Sequence, residues 1–555
     1  MKKLLSTIIT LLSCLTANAQ APNWLWAKGA GGIETEWGQN TTVDNSGNVY
    51  VIGSFFSSSI TFGTNVLVNA NTTGISSDIF LVKYDPSGNV LWANQFGSIG
   101  NDRGTDIALD FQGNIFITGY FDSPNLTFGT VTLNNVDTSD IFIVKFSSTN
   151  NVLWAKSKGG MGADLSYSVA TDFLGNAFIT GEYSSVSLSF GSGSITNMDN
   201  SGASSDIFTF KYDSQGNEIW AKSIGSSDFG WASITSYLFR DYSASIATDL
   251  SGNIYITGTF ASSSFIFGTD SLDTYGNGDH FFVIKYGNAG NEIWAKSEAF
   301  SMFGGLCNGK GIATDAAGNV FITGDFAYYY LIVDSDTLEA IDETDIFIAK
   351  FDSIGNLLWL QGGGGTGFDY GYGITTDVLG NVYATGIYSI SCTFDSVTLL
   401  SGSSFDVFVV KLNTNGNALW LQRAYSSWHD AGYSIVVDQT GNVYVAGSYA
   451  AMMFLGTNTL NFSGATDMFI AKLSPTLVNI VEFLPTNHNL VYPNPSNGVF
   501  SLNDNKNINN VEVYNILGEQ ILTQGNQKQI NLSEFARGIY FARINGETVL
   551  KLVKD

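Results

Sequence analysis

Apolar residues follow one another without polar alternation along Val49-Tyr50-Val51-Ile52 and again along Ile79-Phe80-Leu81-Val82. Short runs of this kind, rich in β-branched and aromatic residues and bounded by turn formers, predict strands covered on both faces. The first run opens with Gly47-Asn48, and that segment returns at Gly113, Gly175, Gly252, Gly318, Gly380 and Gly441. An aspartate stands three residues before each glycine: Asp44, Asp110, Asp172, Asp249, Asp315, Asp377 and Asp438. Asp-x-x-Gly-Asn predicts a type I turn closed by a left-handed glycine, and hence a hairpin. The second run leads into another hairpin, turned by Asp85-Pro86-Ser87-Gly88-Asn89 and closed at Trp92. Its closing tryptophan recurs at Trp154, Trp220, Trp294, Trp359 and Trp420.

Two hairpins per repeat give four strands, and seven repeats at intervals of 61 to 77 residues give seven small sheets. A two-sheet sandwich would leave one face of each sheet wet. Radial stacking around an axis covers both faces and shields the sheet edges. The seventh repeat, Asp467-Met468-Phe469-Ile470-Ala471-Lys472, lacks its closing tryptophan strand, and an orphan strand, Trp24-Leu25-Trp26-Ala27-Lys28, precedes the first repeat. An open solenoid would need polar caps instead. The split repeat therefore predicts an all-β chain whose main body is a seven-bladed β-propeller, closed by an N-terminal strand in the last blade.

With these motifs in view, the repeats resemble the SBBP repeat, a bacterial β-propeller family, over about residues 22–473. The resemblance implies a fold and carries no catalytic residue set. After a linker, residues 474–490, a different segment begins at Val491 and carries Tyr492-Pro493-Asn494-Pro495, Gly498, Val511-Glu512-Val513-Tyr514-Asn515, Leu517-Gly518 and Gly538-Ile539-Tyr540. It resembles the type A C-terminal sorting domain of the type IX secretion system of Bacteroidota. Val511, Val513, Ile539 and Phe541 alternate with outward residues, which predicts a small β-sandwich over 491–555 with those four facing its core. The resemblance implies type IX machinery as a partner and a mature protein that is secreted or held on the outer-membrane surface of a Gram-negative cell.

At the other end, Lys2-Lys3, the apolar run to Leu15 and Ala17-Asn18-Ala19 have the order of a secretory signal over 1–19, with the propeller domain beginning at Gln20. A lipidated Cys14 is the rival reading. No later stretch reaches the ~20 apolar residues of a spanning helix. The 49 acidic against 24 basic residues disfavour nucleic acid as a partner. Only Cys307 and Cys392 follow the signal, too few for a disulfide framework.

Candidate chemistry is sparse. His280, His429 and His488 are scattered, and Gly362 to Gly365 lacks the Lys-Ser/Thr of a phosphate loop and is expected to be a turn. The repeated aspartates suit turn hydrogen bonding better than calcium. The repeated lysines (Lys83, Lys145, Lys211, Lys285, Lys350, Lys411, Lys472) are expected to meet carboxylates or carbonyls of their own or the adjoining blade. No catalytic residue, metal ligand or cofactor is expected. Function falls to the connections between blades, because loops on a rigid scaffold carry most binding residues. The candidates are Trp37, Asp102, Arg103, Trp231, Asp369, Tyr370, Trp428 and Asp430. Aromatics beside carboxylates suit a glycan or a protein ligand, and the chain reads as a non-enzymatic binding or adhesion protein. The alternative is a secreted glycan-degrading enzyme with acidic residues at the channel mouth.

Overall fold

A computed structural model describes residues 21–198, 204–225, 241–261, 264–273, 278–298, 306–327, 330–401, 404–475, 491–492, 494–502, 508–515, 520–525, 527–545 and 548–554. The signal segment, most of the linker and Trp231 lie outside the described residues. The chain divides into two compact units, 1–477 and 478–555.

In the first unit the described residues form seven four-stranded antiparallel sheets. Blade 1 is typical: Glu36–Val43, Val49–Phe55, Asp78–Tyr84 and Val90–Phe96 pair in chain order from the inside outward. Every residue of Val49–Phe55 is buried, because this strand has a blade on either side. Innermost strands of successive blades touch one another, and the last of them, Asp430–Val437, touches the first, Glu36–Val43.

Trp24–Ala30 is the outermost strand of the last blade, paired antiparallel to Asp467–Leu473 with Trp26 opposite Lys472 and Ala27 opposite Ala471. The joint between the last and first blades is built like the internal ones. Trp26 Nε1–H and Lys472 Nζ both donate to the Pro86 carbonyl of blade 1 (3.1 and 3.2 Å), just as Trp154 and Lys145 of blade 2 both donate to Ser214 of blade 3 (3.3 and 3.2 Å). Gly88 and Gly216, both at positive φ, sit under the Trp26 and Trp154 rings, where a Cβ would lie within 3 Å of ring carbons.

The turn aspartates are saturated. Asp44 accepts from Ser46 N–H, Asn48 N–H and Asn48 Nδ2–H (2.9, 2.9 and 2.8 Å), with Gly47 at φ +77°. Lys83, Lys145, Lys350 and Lys411 pair with such aspartates at 3.2–3.9 Å, while Lys211, Lys285 and Lys472 donate to carbonyls of the next blade.

Two features depart from the sequence expectation. Each blade carries an additional two-stranded hairpin, such as Ser59–Phe62 with Asn65–Val68, whose Ile60, Phe62 and Leu67 are buried with the blade core. Gly362 and Gly363 are not a turn. They end the strand Leu357–Gly363, and Gly364 bridges to Thr393, because Phe394 lies so close to Gly363 that no Cβ fits.

The second unit holds a three-stranded and a four-stranded sheet. Phe500, Val511, Val513, Ile530, Ala542 and Leu552 form its core. The strand Gly538–Ile544 has the opposite phase to that expected: Tyr540, Ala542 and Ile544 face inward, Ile539 is exposed and Phe541 only half-buried. Pairing of Val511 with Ile544 and Val513 with Ala542 fixes this phase, since residues opposite one another share a face.

Candidate functional site: the channel mouth

Every innermost strand carries a β-bulge at the same place. The register shifts between Gly38 and Asn40, Gly104 and Asp106, Ser166 and Ser168, Ser243 and Ser245, Gly309 and Gly311, Gly371 and Gly373, and Gly432 and Ser434. A bulge leaves its extra residue outside the ladder and re-aims the side chain. The seven extra residues are Gln39, Thr105, Tyr167, Ala244, Lys310, Tyr372 and Tyr433, and all seven line a central cavity of about 650 Å³. The residue before each is always Gly or Ser because the neighbouring blade is close: a Cβ on Gly371 would lie 2.4 Å from Thr323 Oγ1. That preceding residue hardly varies between blades, whereas the extra residue does.

One side of the cavity is aromatic and internally charge-balanced. Lys310 Nζ lies 2.5 Å from Asp325 Oδ1 and above the rings of Tyr370 and Tyr372, at 4.7 and 4.6 Å from their centroids. Those two rings are nearly parallel, with 6.4 Å between centroids, and Tyr433 lies 5.8 Å beyond Tyr372. Asp325 also accepts from Asn308 Nδ2–H (2.9 Å). Across the cavity Glu182 accepts from the Tyr167 hydroxyl (2.5 Å) and from Ser205 (2.7 Å). Asp106 accepts from Ser168 Oγ–H and the Val169 N–H. Lys310→Met is expected to lower stability by about 1–3 kcal/mol in denaturant unfolding, because it leaves Asp325 buried without its cation. Adding Asp325→Asn should restore most of that loss.

Tyr372 and Tyr433 also line a second cavity of about 400 Å³, a groove whose other walls include Trp37, Phe405, Trp428 and His429. Trp428 is 62% exposed. His429 stacks on Phe405 at 5.2 Å. Trp37 stands edge-on to Phe56 at 5.7 Å, and the Arg103 guanidinium covers the Trp37 ring at 4.9 Å.

The candidates from sequence thus converge on one region. Trp37, Trp428 and Asp430 line the groove, Arg103 covers Trp37, and Tyr370 stacks beside Tyr372. Of the described candidates only Trp428 stands in a connection between blades. The others are the first or second residues of innermost strands. Asp102, Asp369 and Asp430 are buried there and clasp the loops. Asp102 accepts from Ser98 N–H (2.8 Å) and Ser123 Oγ–H (2.7 Å), Asp369 from Gly365 N–H (2.8 Å), and Asp430 from Ser426 Oγ–H (2.8 Å). Burial pushes the Asp102 carboxyl up to about 7 and those of Asp369 and Asp430 up to about 8, with Asp78, Asp345 and Asp406 of the preceding blades adding to the rise. Sequence reasoning missed the bulge residues and their partners Glu182 and Asp325. Aligning the seven innermost strands residue by residue would have found the bulge residues, since a variable position follows a constant Gly or Ser; Glu182 and Asp325 lie on the second strands and carry no such signal.

The geometry defines a β-propeller followed in the same chain by a small all-β unit. Residues 490–554 match the family described as a secretion system C-terminal sorting domain, and residues 91–123 and 231–259 match a β-propeller repeat. The sorting domain marks the protein for export by type IX secretion, to the cell surface or beyond it. An uncharacterized WD repeat-containing protein of Acanthamoeba polyphaga mimivirus is 24% identical over 514 residues, covering 78% of this chain. The chain spans 37% of that relative's length. Among solved structures, the WD40 domain of Neurospora crassa Pan2 is 6% identical with a TM-score of 0.38, covering 81% of this chain and 97% of its own. The WD40 propeller domain of Doa1 is 10% identical with a TM-score of 0.39, covering 81% and 96%. Among the described residues no helix is long and apolar enough to cross a membrane.

Proposed function

We propose that the mature protein is a non-enzymatic binding or adhesion protein, displayed on or released from the cell by type IX export, that takes a glycan or protein ligand at the channel mouth. The observation that carries this reading is the exposed Trp428 facing a groove that shares Tyr372 and Tyr433 with the central cavity. Large aromatic side chains with one apolar face and polar neighbours supply most binding energy at such surfaces. Among the described residues in and around the cavity, Asp106, Glu182 and Asp325 are each held by their own neighbours, which favours a structural role for these carboxyls over the acid and base of a glycan-degrading enzyme.

The test is capture of ligand from glycan arrays and from surface extracts by the full chain and by a Trp37→Ala, Trp428→Ala variant. The variant should lose binding by about tenfold or more while keeping its circular dichroism spectrum. Equal binding by both proteins would remove the groove from the argument. New reducing ends from a polysaccharide panel would favour the enzyme instead. Mass spectrometry of surface and medium fractions should find Gln20 as the first residue and the last domain removed.

A further inference from the structure

We infer that the ligand is a neutral saccharide chain, laid along the Trp37–Trp428 groove with its end passing Tyr372 and Tyr433 into the central cavity. This rests on the binding reading above and adds the ligand's charge, its length and its direction. Length follows from adjacency: the groove, about 400 Å³, and the cavity, about 650 Å³, have Tyr372 and Tyr433 in common, so a chain that fills the first reaches residues that line the second.

Charge follows from what the walls already hold. Lys310, the cation lining the cavity, is spent on Asp325 at 2.5 Å and on two tyrosine faces. Arg103 is stacked over Trp37 and Phe56. Glu182 is held by Tyr167 and Ser205. The whole chain carries a net charge of −25. An acidic sugar or a phosphate would therefore be repelled at long range, and among the described residues it would find the cavity's lysine already paired. A cationic ligand would have to displace Lys310 from Asp325.

Chemistry follows from the remaining lining. Gln39 and Ser245 present neutral groups that both donate and accept, which is the hydrogen-bonding character of sugar hydroxyls, while Thr105 gives its hydroxyl proton to Ser166 O and is left to accept. Tyr372, Tyr433 and Trp428 line the groove with aromatic surface, which suits the apolar faces of sugar rings. Because the cavity is ringed by bulge residues of five types, unevenly placed, it has no rotational symmetry and fixes one orientation of the inserted end.

The test is calorimetric titration of the full chain with neutral oligosaccharides (hexamers and dimers of glucose, xylose and mannose) and with oligogalacturonate, at low and high salt. At least one neutral hexamer should bind about tenfold more tightly than its dimer, with an affinity indifferent to salt. Trp428→Ala, an exposed change, should weaken both lengths. Tyr372→Phe with Tyr433→Phe, which keeps the rings and removes the hydroxyls, should weaken the hexamer selectively. Preference for oligogalacturonate, binding that collapses with salt, or equal affinity for dimer and hexamer would overturn the inference. So would a protein partner lost on Trp37→Ala, Trp428→Ala with no saccharide binding, although that result leaves the binding reading standing. Absence of any ligand sensitive to the groove variants would overturn both.

Discussion

Replacing Trp24 by alanine should destabilise the propeller by about 3–5 kcal/mol, the range for deleting a buried tryptophan. Trp24 is 5% exposed and packs with Trp420, Leu455, Leu460 and Leu473, while its Nε1–H donates to the Arg423 carbonyl. The backbone around it is fastened as well. Asn458 Nδ2–H donates to Trp24 O (3.0 Å), Ser474 N–H to Asn23 O (2.9 Å) and Gln422 Nε2–H to Pro22 O (2.9 Å). The side chain therefore holds a strand whose pairing partners lie more than 400 residues further on, and its loss also weakens the joint to blade 1 made by Trp26. Leu25→Ala, next in sequence but exposed, should change stability by no more than about 0.5 kcal/mol. Denaturant unfolding of both variants provides the comparison, and a similar effect for the two would mean that the strand contributes little.

The propeller should also be more stable near pH 5 than near pH 9, by on the order of 5 °C in midpoint. Five blade junctions bury two carboxyls side by side: Asp78 with Asp102, Asp140 with Asp164, Asp345 with Asp369, Asp406 with Asp430, and Asp467 with Glu36. Burial raises Asp78, Asp140, Asp345 and Asp406 to about 6, Glu36 and Asp102 to about 7, and Asp369 and Asp430 to about 8; hydrogen bonds oppose the rise, and the paired carboxylate adds to it at Glu36, Asp102, Asp140, Asp369 and Asp430. A carboxyl raised on folding favours the protonated native state. Its contribution is complete below the unfolded value near 4 and disappears as pH climbs through 6 to 8. The turn aspartates act oppositely. Burial pulls Asp44, Asp377 and Asp438 upward, but hydrogen bonds from Asn48, Asn381 and Asn442 outweigh it and hold them below the usual range, so their contribution fails only in stronger acid. Asp369→Asn with Asp430→Asn should flatten the loss above pH 6, and a flat profile in the unmutated protein would refute this account.

The repeat was legible because the Asp-x-x-Gly-Asn turn and the doubly buried strands impose strict local chemistry, at Gly47 as at Gly441. The orphan Trp24–Ala30 strand was legible because its tryptophan matches those that close the other blades. Less was visible wherever chemistry depends on a neighbour. The small hairpins, such as Ser59–Phe62, do alternate, but their burial depends on the blade beneath them. The phase of Gly538–Ile544 is set by Val511 and Val513 across the ladder, and both phases of that strand offer apolar residues. Trp37, Arg103 and Tyr370 read as loop residues with a glycine after each, whereas Gly38, Gly104 and Gly371 are small because the neighbouring blade is close. The channel tyrosines were hidden for the same reason: a residue expelled from the ladder leaves no mark on the hydrophobic period.

That expulsion sets the terms on which such a protein diversifies. The bulged side chain takes no part in strand pairing and borders the central cavity, so exchanging it leaves the ladder itself in place. Seven such addresses around one axis form a palette that can be repainted a sector at a time, with Ala244 as its blankest sector and Tyr372 and Tyr433 as its most heavily worked. Kin built on the same frame would then part company in taste well before they part company in shape.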